Sequence, residues 1–121
     1  MSIQGSDRDE GAIAAARANA ERAGVLADID LRVLPISAIE TAPAPGLVAL
    51  NPPYGVRIGA TNPLRNLYAR FGNVVRENRA GWTVAVLSAD RTLEGQMRLR
   101  LKEKFRTRNG GIPVRLVVAD I

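Results

Sequence analysis

One stretch, Leu47 to Gly55, limits most strongly what this chain can fold into. Four apolar residues, Leu47 to Leu50, are followed at once by Asn51, two prolines, Tyr54 and Gly55. A short apolar run that ends in turn-forming residues predicts a buried strand that delivers a rigid loop. Open α/β sheets bind their ligands at the carboxyl ends of their strands, so this loop is the first candidate for a site.

The loop of Asn51, Pro52, Pro53 and Tyr54 suits the recognition of a planar amino group. Each proline holds φ near about −65° and has no N–H, so the loop presents carbonyl oxygens as acceptors with little freedom to relax. Asn51 adds a side-chain oxygen, and Tyr54 adds a flat ring with a polar tip. An exocyclic NH₂ on a nucleobase needs acceptors for its hydrogens and a surface for its ring. A proline-stiffened turn without a ligand is the alternative, and it stays open at this point.

The chain contains no cysteine and no histidine. Disulfides, Cys/His zinc sites, thiol nucleophiles and histidine general bases are therefore excluded, and we expect no metal. Any chemistry must use carboxylates, amides, hydroxyls or a cofactor. No apolar run reaches the length of a membrane span and the amino terminus does not resemble a signal peptide, so we expect a cytoplasmic protein that does not enter the membrane.

Positive charge is concentrated in the half of the chain that contains the loop. Residues 1–50 carry seven acidic and four basic residues, a net −3, whereas residues 51–121 carry five acidic and thirteen basic residues, a net +8. A basic face is often only a solvated surface. Its place beside a candidate base-binding loop favours a nucleic acid as partner. Aromatic residues make up only 4% of the chain, which suits one extruded base better than a strand stacked on many rings.

Apolar periodicity and turn signals predict strands that alternate with helices in one domain, residues 1–121, ending in an antiparallel hairpin. Thr41 to Gly46 is expected to be a stiff surface linker within that domain. The predicted strands are Ile3 to Asp7, Ile29 to Leu34, Leu47 to Leu50 and Trp82 to Ser88, followed by a hairpin of Phe105 to Arg108 and Val114 to Ala119 around Asn109-Gly110-Gly111. The first predicted helix is Ala12 to Ala23, with Asp9 as its cap. The second starts at Thr61 or Asn62, and its apolar face comprises Leu64, Leu67, Tyr68, Phe71, Val74 and Val75. The third starts at Thr92, with Leu93, Met97 and Leu101 facing inward.

The Asn-Pro-Pro-Tyr motif is similar to that of S-adenosylmethionine-dependent amino-methyltransferases, which methylate adenine, cytosine, guanine or glutamine amino groups. The longer match adds further residues at matching places. It comprises Asn51 to Gly55 with Arg57, Gly81-Trp82, Ser88 and Asn109-Gly110. With these, the chain resembles the later part of the catalytic domain of the large-subunit ribosomal RNA guanine-N2 methyltransferases of the K/L type.

The resemblance implies an α/β fold: a Rossmann-like class I methyltransferase sheet with a C-terminal antiparallel hairpin, lacking the family's first strand and Gly-rich loop. That first strand lies at the centre of the family's sheet. Without it, the strands Ile3 to Ser6 and Leu47 to Leu50 lack their shared neighbour, and unpaired edges invite pairing with another chain. We expect either a piece of a split or truncated enzyme or a homo-oligomer that closes the gap.

The resemblance also implies methyl transfer from S-adenosylmethionine to an exocyclic base amino group, guanine N2 of 23S ribosomal RNA. It assigns Asn51, Pro52, Pro53 and Tyr54 to catalysis, Asp7 and Asn51 to the cofactor, and Tyr54 and Arg57 to the substrate. Asp7 ends the first predicted strand, where the family places an acid against the cofactor ribose. The alternatives are a non-catalytic RNA-binding fragment or subunit, and methyl transfer to DNA adenine N6 or a protein glutamine.

Overall fold

The computed structural model describes residues 2–54 and 61–121. The chain forms two compact units, Met1–Ile39 and Glu40–Ile121. The prediction of a single domain over residues 1–121 stays a prediction. Gly55 and Arg57 of the predicted site lie outside the described residues.

The first unit is a β-α-β unit. It contains β1 (Ile3–Asp7), α1 (Glu10–Arg22) and β2 (Ile29–Val33), and β1 pairs with β2 in parallel. Asp9 caps α1, because its side chain accepts a hydrogen bond from the Gly11 N–H at 3.0 Å. Both strands, the helix and its cap are therefore confirmed.

In the described part of the second unit, a four-stranded mixed sheet is accompanied by two helices. The elements are β3 (Leu47–Leu50), α2 (Thr61–Asn78), β4 (Thr83–Ser88), α3 (Arg91–Gln96), β5 (Lys102–Asn109) and β6 (Ile112–Asp120). The strand order is β3-β4-β6-β5, with β3 parallel to β4 and the other two pairings antiparallel. This confirms the α/β class and the C-terminal hairpin. The resemblance implied that the family's first strand is lacking, and no strand within residues 2–54 and 61–121 pairs with both β1 and β3.

The core of the second unit includes residues from one face of β4 and one face of α2. Along β4, Val84, Val86 and Ser88 are buried and alternate with half-buried residues, so one face of the strand is fully covered. Four residues of the predicted apolar face of α2 are buried, and Leu64 and Leu67 are half-buried. The buried four are Tyr68, Phe71, Val74 and Val75. The predicted face of α2 is therefore confirmed.

The third helix is much shorter than predicted. It ends at Gln96, and Arg98 adopts a left-handed conformation with φ of 52°. The Arg76 Nη1 atom of α2 donates to the Met97 carbonyl at 2.5 Å and to the Arg98 carbonyl at 3.2 Å. These contacts satisfy two carbonyls that directly follow the helix. Leu101, predicted as an inward helical residue, is half-buried in the segment before β5.

The prediction that Leu47 to Leu50 is a buried strand is right about the strand and wrong about burial. Leu47 is 61% exposed and Ala49 is exposed, while Val48 and Leu50 are half-buried. Among the described residues, β3 pairs only with β4. An edge strand with a single neighbour keeps part of its surface in solvent.

The hairpin turns through Gly110 and Gly111, whose φ values are 56° and 82°. Two central residues with positive φ are the signature of a tight two-residue hairpin loop, and both glycines adopt this conformation without strain. Asn109 and Ile112 are the last pair of the ladder before the turn. The predicted hairpin is confirmed, and both of its strands are longer than expected.

A pair of glycine substitutions tests how closely α2 approaches the segment after α3. A Cβ added at Gly72 would overlap the Met97 carbonyl, whereas one added at Gly95 would meet open space. We expect Gly72→Ala to lower the free energy of unfolding by about 1–3 kcal/mol, because the backbone carbonyl cannot rotate away. Gly95→Ala is expected to raise it by about 0.5–1 kcal/mol, since alanine favours the helix. Urea denaturation of both variants is the measurement, and equal effects would contradict this account.

The carboxylate of Glu103 on β5 provides a test at acid pH. Hydrogen bonds from Arg106 at 2.6 Å and from Arg115 at 2.7 Å lower the pKa of Glu103 from 4.5 to about 2. A lowered pKa in the folded state means that the stabilisation is complete above about pH 4.5 and is lost as the pH falls towards 2. The loss of stability caused by Glu103→Gln at pH 7 should therefore shrink over this interval. An NMR titration of the Glu103 carboxyl group with a midpoint near 4.5 would disprove the assignment.

Candidate functional site

The Asn51–Tyr54 loop leaves β3 at the carboxyl end of two neighbouring parallel strands. Asn51 follows directly after Leu50, and Leu50 lies opposite Val86 of β4. This is the position at which open α/β sheets bind their ligands. The predicted placement of the loop at the carboxyl end of a strand is therefore observed.

Asn51 and Tyr54 contact each other across the loop. The Tyr54 hydroxyl donates a hydrogen bond to Asn51 Oδ1. Asn51 is exposed and Tyr54 is half-buried. An amide oxygen has two lone pairs, so this bond leaves Asn51 Oδ1 with the capacity to accept another hydrogen.

Asn109, at the end of β5, joins the site although no role at the site is predicted for it. Its Nδ2 donates to the Tyr54 hydroxyl at 3.0 Å, and the Tyr54 hydroxyl in turn donates to Asn51. In the sequence, Asn109 is a turn residue that also matches the family. The Asn-Gly signal reports local backbone geometry and carries no information on a contact with a residue 55 positions away. Three side chains therefore form one hydrogen-bonded chain, Asn109 to Tyr54 to Asn51.

Tyr68 of α2 supports the loop from the core of the second unit. Its hydroxyl donates to the Pro53 carbonyl at 3.1 Å, and the residue is only 3% exposed. Burial, and to a smaller degree the charge of Asp90, raises the pKa of Tyr68 to about 12. The hydroxyl therefore stays protonated and remains a donor. This contact holds the Pro53 carbonyl in place, and the Pro52 carbonyl and Asn51 Oδ1 are the predicted acceptors for a ligand.

Asp7 is the last residue of β1 and is exposed. One of its carboxylate oxygens accepts a hydrogen bond from the Asp9 N–H at 2.8 Å. Asp7 thus helps to shape the start of α1. Its second oxygen keeps lone pairs for a ligand. Asp7 belongs to the first unit, and its role with a cofactor stays a prediction.

The part of the chain that the structure describes contains no cluster of three or more acidic residues arranged to hold a metal ion. In the same part, no helix combines the length and the apolarity needed to cross a membrane.

Comparison with known proteins identifies related sequences and structures. The family model described as UPF0020, RMKL-like, methyltransferase domain, matches residues 1–117. The Ribosomal RNA large subunit methyltransferase K/L of Legionella pneumophila (strain Corby) is 35% identical over 116 residues, which are 96% of this chain and 16% of that protein. The protein of the same name from Desulfotalea psychrophila (strain LSv54 / DSM 12343) is 37% identical over 115 residues, 95% of this chain and 16% of that protein.

Among solved structures, the chain is similar to SMU.472 complexed with SAH, with a TM-score of 0.89 and 25% sequence identity. This similarity covers 98% of this chain and 31% of that one. The chain therefore spans about a third or less of the length of these similar proteins.

Two tyrosine substitutions distinguish the hydrogen-bonded chain of Asn109, Tyr54 and Asn51 from the bond between Tyr68 and the Pro53 carbonyl. Tyr54→Phe removes the hydroxyl that Asn51 and Asn109 share, so we expect the side-chain NH₂ of Asn109 to exchange faster with solvent. Tyr68→Phe removes a buried donor to Pro53 and is expected to lower the free energy of unfolding by about 1 kcal/mol without this effect on Asn109. NMR of the asparagine side-chain amides and chemical denaturation measure the two effects. Unchanged Asn109 signals in Tyr54→Phe would argue against the network.

Proposed function

Because the chain belongs to the RMKL-like methyltransferase domain family, we propose that it acts in methyl transfer from S-adenosylmethionine to an exocyclic base amino group. Its family membership confirms the resemblance drawn from the Asn51–Tyr54 motif. The proposed acceptor is guanine N2 of 23S ribosomal RNA. The names of the K/L relatives and the net +8 charge of residues 51–121 support an RNA acceptor.

The observation that carries the proposal is the position of Asn51 Oδ1 at the carboxyl end of β3, held there by the Tyr54 hydroxyl. In the proposed reaction, Asn51 Oδ1 and the Pro52 carbonyl accept hydrogen bonds from the two N–H groups of the base amino group. These oxygens stabilise the positive charge that develops on the nitrogen during transfer. The nitrogen gains the methyl group as the bond between that carbon and the sulfur breaks, and it then loses one proton to solvent. The Tyr54 ring stacks on the base, with its hydroxyl fixed from both sides by Asn51 and Asn109. Catalysis then rests on position and electrostatics.

The residues present are chemically suited to the cofactor. S-adenosylmethionine supplies a methyl group on a sulfonium when it is bound. The Asp7 carboxylate keeps an oxygen that is not used by the Asp9 N–H and suits a ribose hydroxyl. The exposed amide of Asn51 supplies a further polar contact. Arg57 is proposed as a substrate contact from its charge and its place in the motif.

RNA is the proposed partner, and the cytoplasm is the proposed compartment. A homo-oligomer formed through the edges of β1 and β3 stays part of the proposal. It is supported by the pairing of each of these strands with a single neighbour among the described residues.

The second candidate function is RNA binding without catalysis, which the basic second half of the chain favours. Under this alternative, the loop and the basic residues hold RNA, and methyl transfer does not occur. Transfer to DNA adenine N6 or to a protein glutamine keeps the same loop chemistry with another acceptor.

Replacement of Asn51 tests its proposed role. With labelled S-adenosylmethionine and a 23S ribosomal RNA transcript, Asn51→Ala is expected to lower kcat by about 10²–10³-fold, because one preorganised stabilising group is removed. The affinity for RNA should change by less than about twofold, which is small compared with the expected loss of kcat. Asn51→Asp keeps acceptor oxygens and should retain more activity than Asn51→Ala. Equal losses of turnover and RNA affinity would count against the role of Asn51.

Two further measurements separate the candidate functions. Calorimetry of this chain with S-adenosylmethionine reports cofactor binding independently of transfer. RNA binding with neither cofactor binding nor methyl transfer would support the second candidate. Parallel assays with RNA, DNA and protein acceptors identify the substrate class.

A further inference from the structure

The register of the β5–β6 hairpin places Phe105 on the same face of the sheet as Asn109. Directly opposed residues of antiparallel strands share a face. Phe105 lies opposite Leu116 and Asn109 opposite Ile112, two residues separated by an even number of positions on β6. Lys102 shares this face, since it lies opposite Val118. The face that contains Asn109 therefore continues along β5 towards Lys102.

This face combines an exposed aromatic ring with positive charge. Phe105 is 53% exposed, Lys102 is exposed on the same face, and the exposed Lys104 precedes Phe105 at the β-bulge. The one acidic residue of β5, Glu103, lies opposite Val117 and so belongs to the other face, where it forms ion pairs with Arg106 and Arg115. The acidic charge of the strand is thus directed away from Phe105.

We propose that this strip, formed by Lys102, Lys104, Phe105 and Thr107, binds the single-stranded RNA that flanks the target base. The inference rests on the proposed function, because it takes RNA as the substrate. Phe105 stacks on a neighbouring base, and the two lysines bind phosphates. From Phe105 to Asn109 the strand advances by about 13 Å at 3.3–3.4 Å per residue, so the strip leads directly to the Asn109–Tyr54 hydrogen bond.

The charge of the strip favours RNA over a second copy of the chain. Two such strips would bring like charges together, whereas an RNA backbone carries the complementary charge. Lysines and a β-bulge, here between Glu103 and Phe105, are also features by which edge strands avoid pairing with other strands. An exposed aromatic ring preceded by two lysines on such a strand suits a base stacked next to phosphates.

Binding of a short fluorescein-labelled single-stranded RNA, followed by anisotropy at several salt concentrations, tests the strip. Phe105→Ala is expected to weaken binding about tenfold, as for other base–aromatic stacks, and Phe105→Tyr to restore it. Lys102→Gln/Lys104→Gln should weaken binding and reduce the salt slope by about 0.7 for each phosphate that is no longer neutralised. The matched control, Arg65→Gln/Arg70→Gln, removes the same charge from exposed positions of α2 and should have a smaller effect.

Three results would overturn the inference: no RNA binding by the wild-type chain, equal effects of the two double variants, or Phe105→Ala with unchanged affinity. If the unchanged affinity of Phe105→Ala is accompanied by a change in sedimentation, Phe105 contacts protein and not RNA. If the strip does not bind RNA, the proposed function still stands, because the Asn51 variants test methyl transfer separately. Conversely, Phe105-dependent binding without any methyl transfer would uphold the strip and refute the proposed function.

Discussion

The pairing of β4 with both β3 and β6 is the constraint on which the candidate site depends. Because β3 runs parallel to β4, its carboxyl end and the Asn51–Tyr54 loop emerge where β4 also ends. Because β6 runs antiparallel to β4, with Arg115 opposite Ser88, its first residues extend past that same end. The hairpin turn and the loop therefore meet there, and the hydrogen bond between Asn109 and Tyr54 follows from strand direction. The burial of β4 makes this arrangement costly to disturb.

Side-chain contacts fix both the segment that precedes β3 and the loop that follows it. Ahead of β3, Trp82 Nε1 donates to the Pro43 carbonyl at 3.1 Å, and the Arg79 guanidinium lies 4.8 Å from the centre of the Trp82 ring. A Cβ on Gly46 would overlap that ring, so the segment passes very close to it. Behind β3, Tyr68 holds the Pro53 carbonyl. A short edge strand alone positions a loop poorly, and these side-chain contacts supply the rigidity that the proposed recognition of an amino group requires.

The strands, the capped first helix, the hairpin and the apolar face of α2 could be predicted from the sequence, because each of these has a local signal of turn residues or periodicity. Prediction from the sequence failed where contacts between residues distant in the chain determine the local structure. The early end of α3 coincides with hydrogen bonds from Arg76 to the carbonyls of Met97 and Arg98, contacts that helical periodicity does not encode. The exposure of Leu47 depends on the number of neighbours of β3. Within the site, the motif predicted Asn51 and Tyr54 as partners of a ligand, but their bond to each other and the addition of Asn109 required the sheet topology.

The β-bulge between Glu103 and Phe105 shows how one backbone irregularity changes the chemistry of a surface. Strict alternation along β5 would place Lys102, Lys104, Arg106 and Arg108 on one face and Glu103 with Phe105 on the other. The bulge reverses the faces after Glu103, so that Phe105 joins Lys102, while Arg106 joins Glu103 opposite Arg115 and Val117. Arg106 can then neutralise Glu103 on the face where Arg115 also binds the buried Glu94. The same shift that completes this ion-pair cluster places an aromatic ring on the same face as Lys102, and this face leads to Asn109 and its bond with Tyr54.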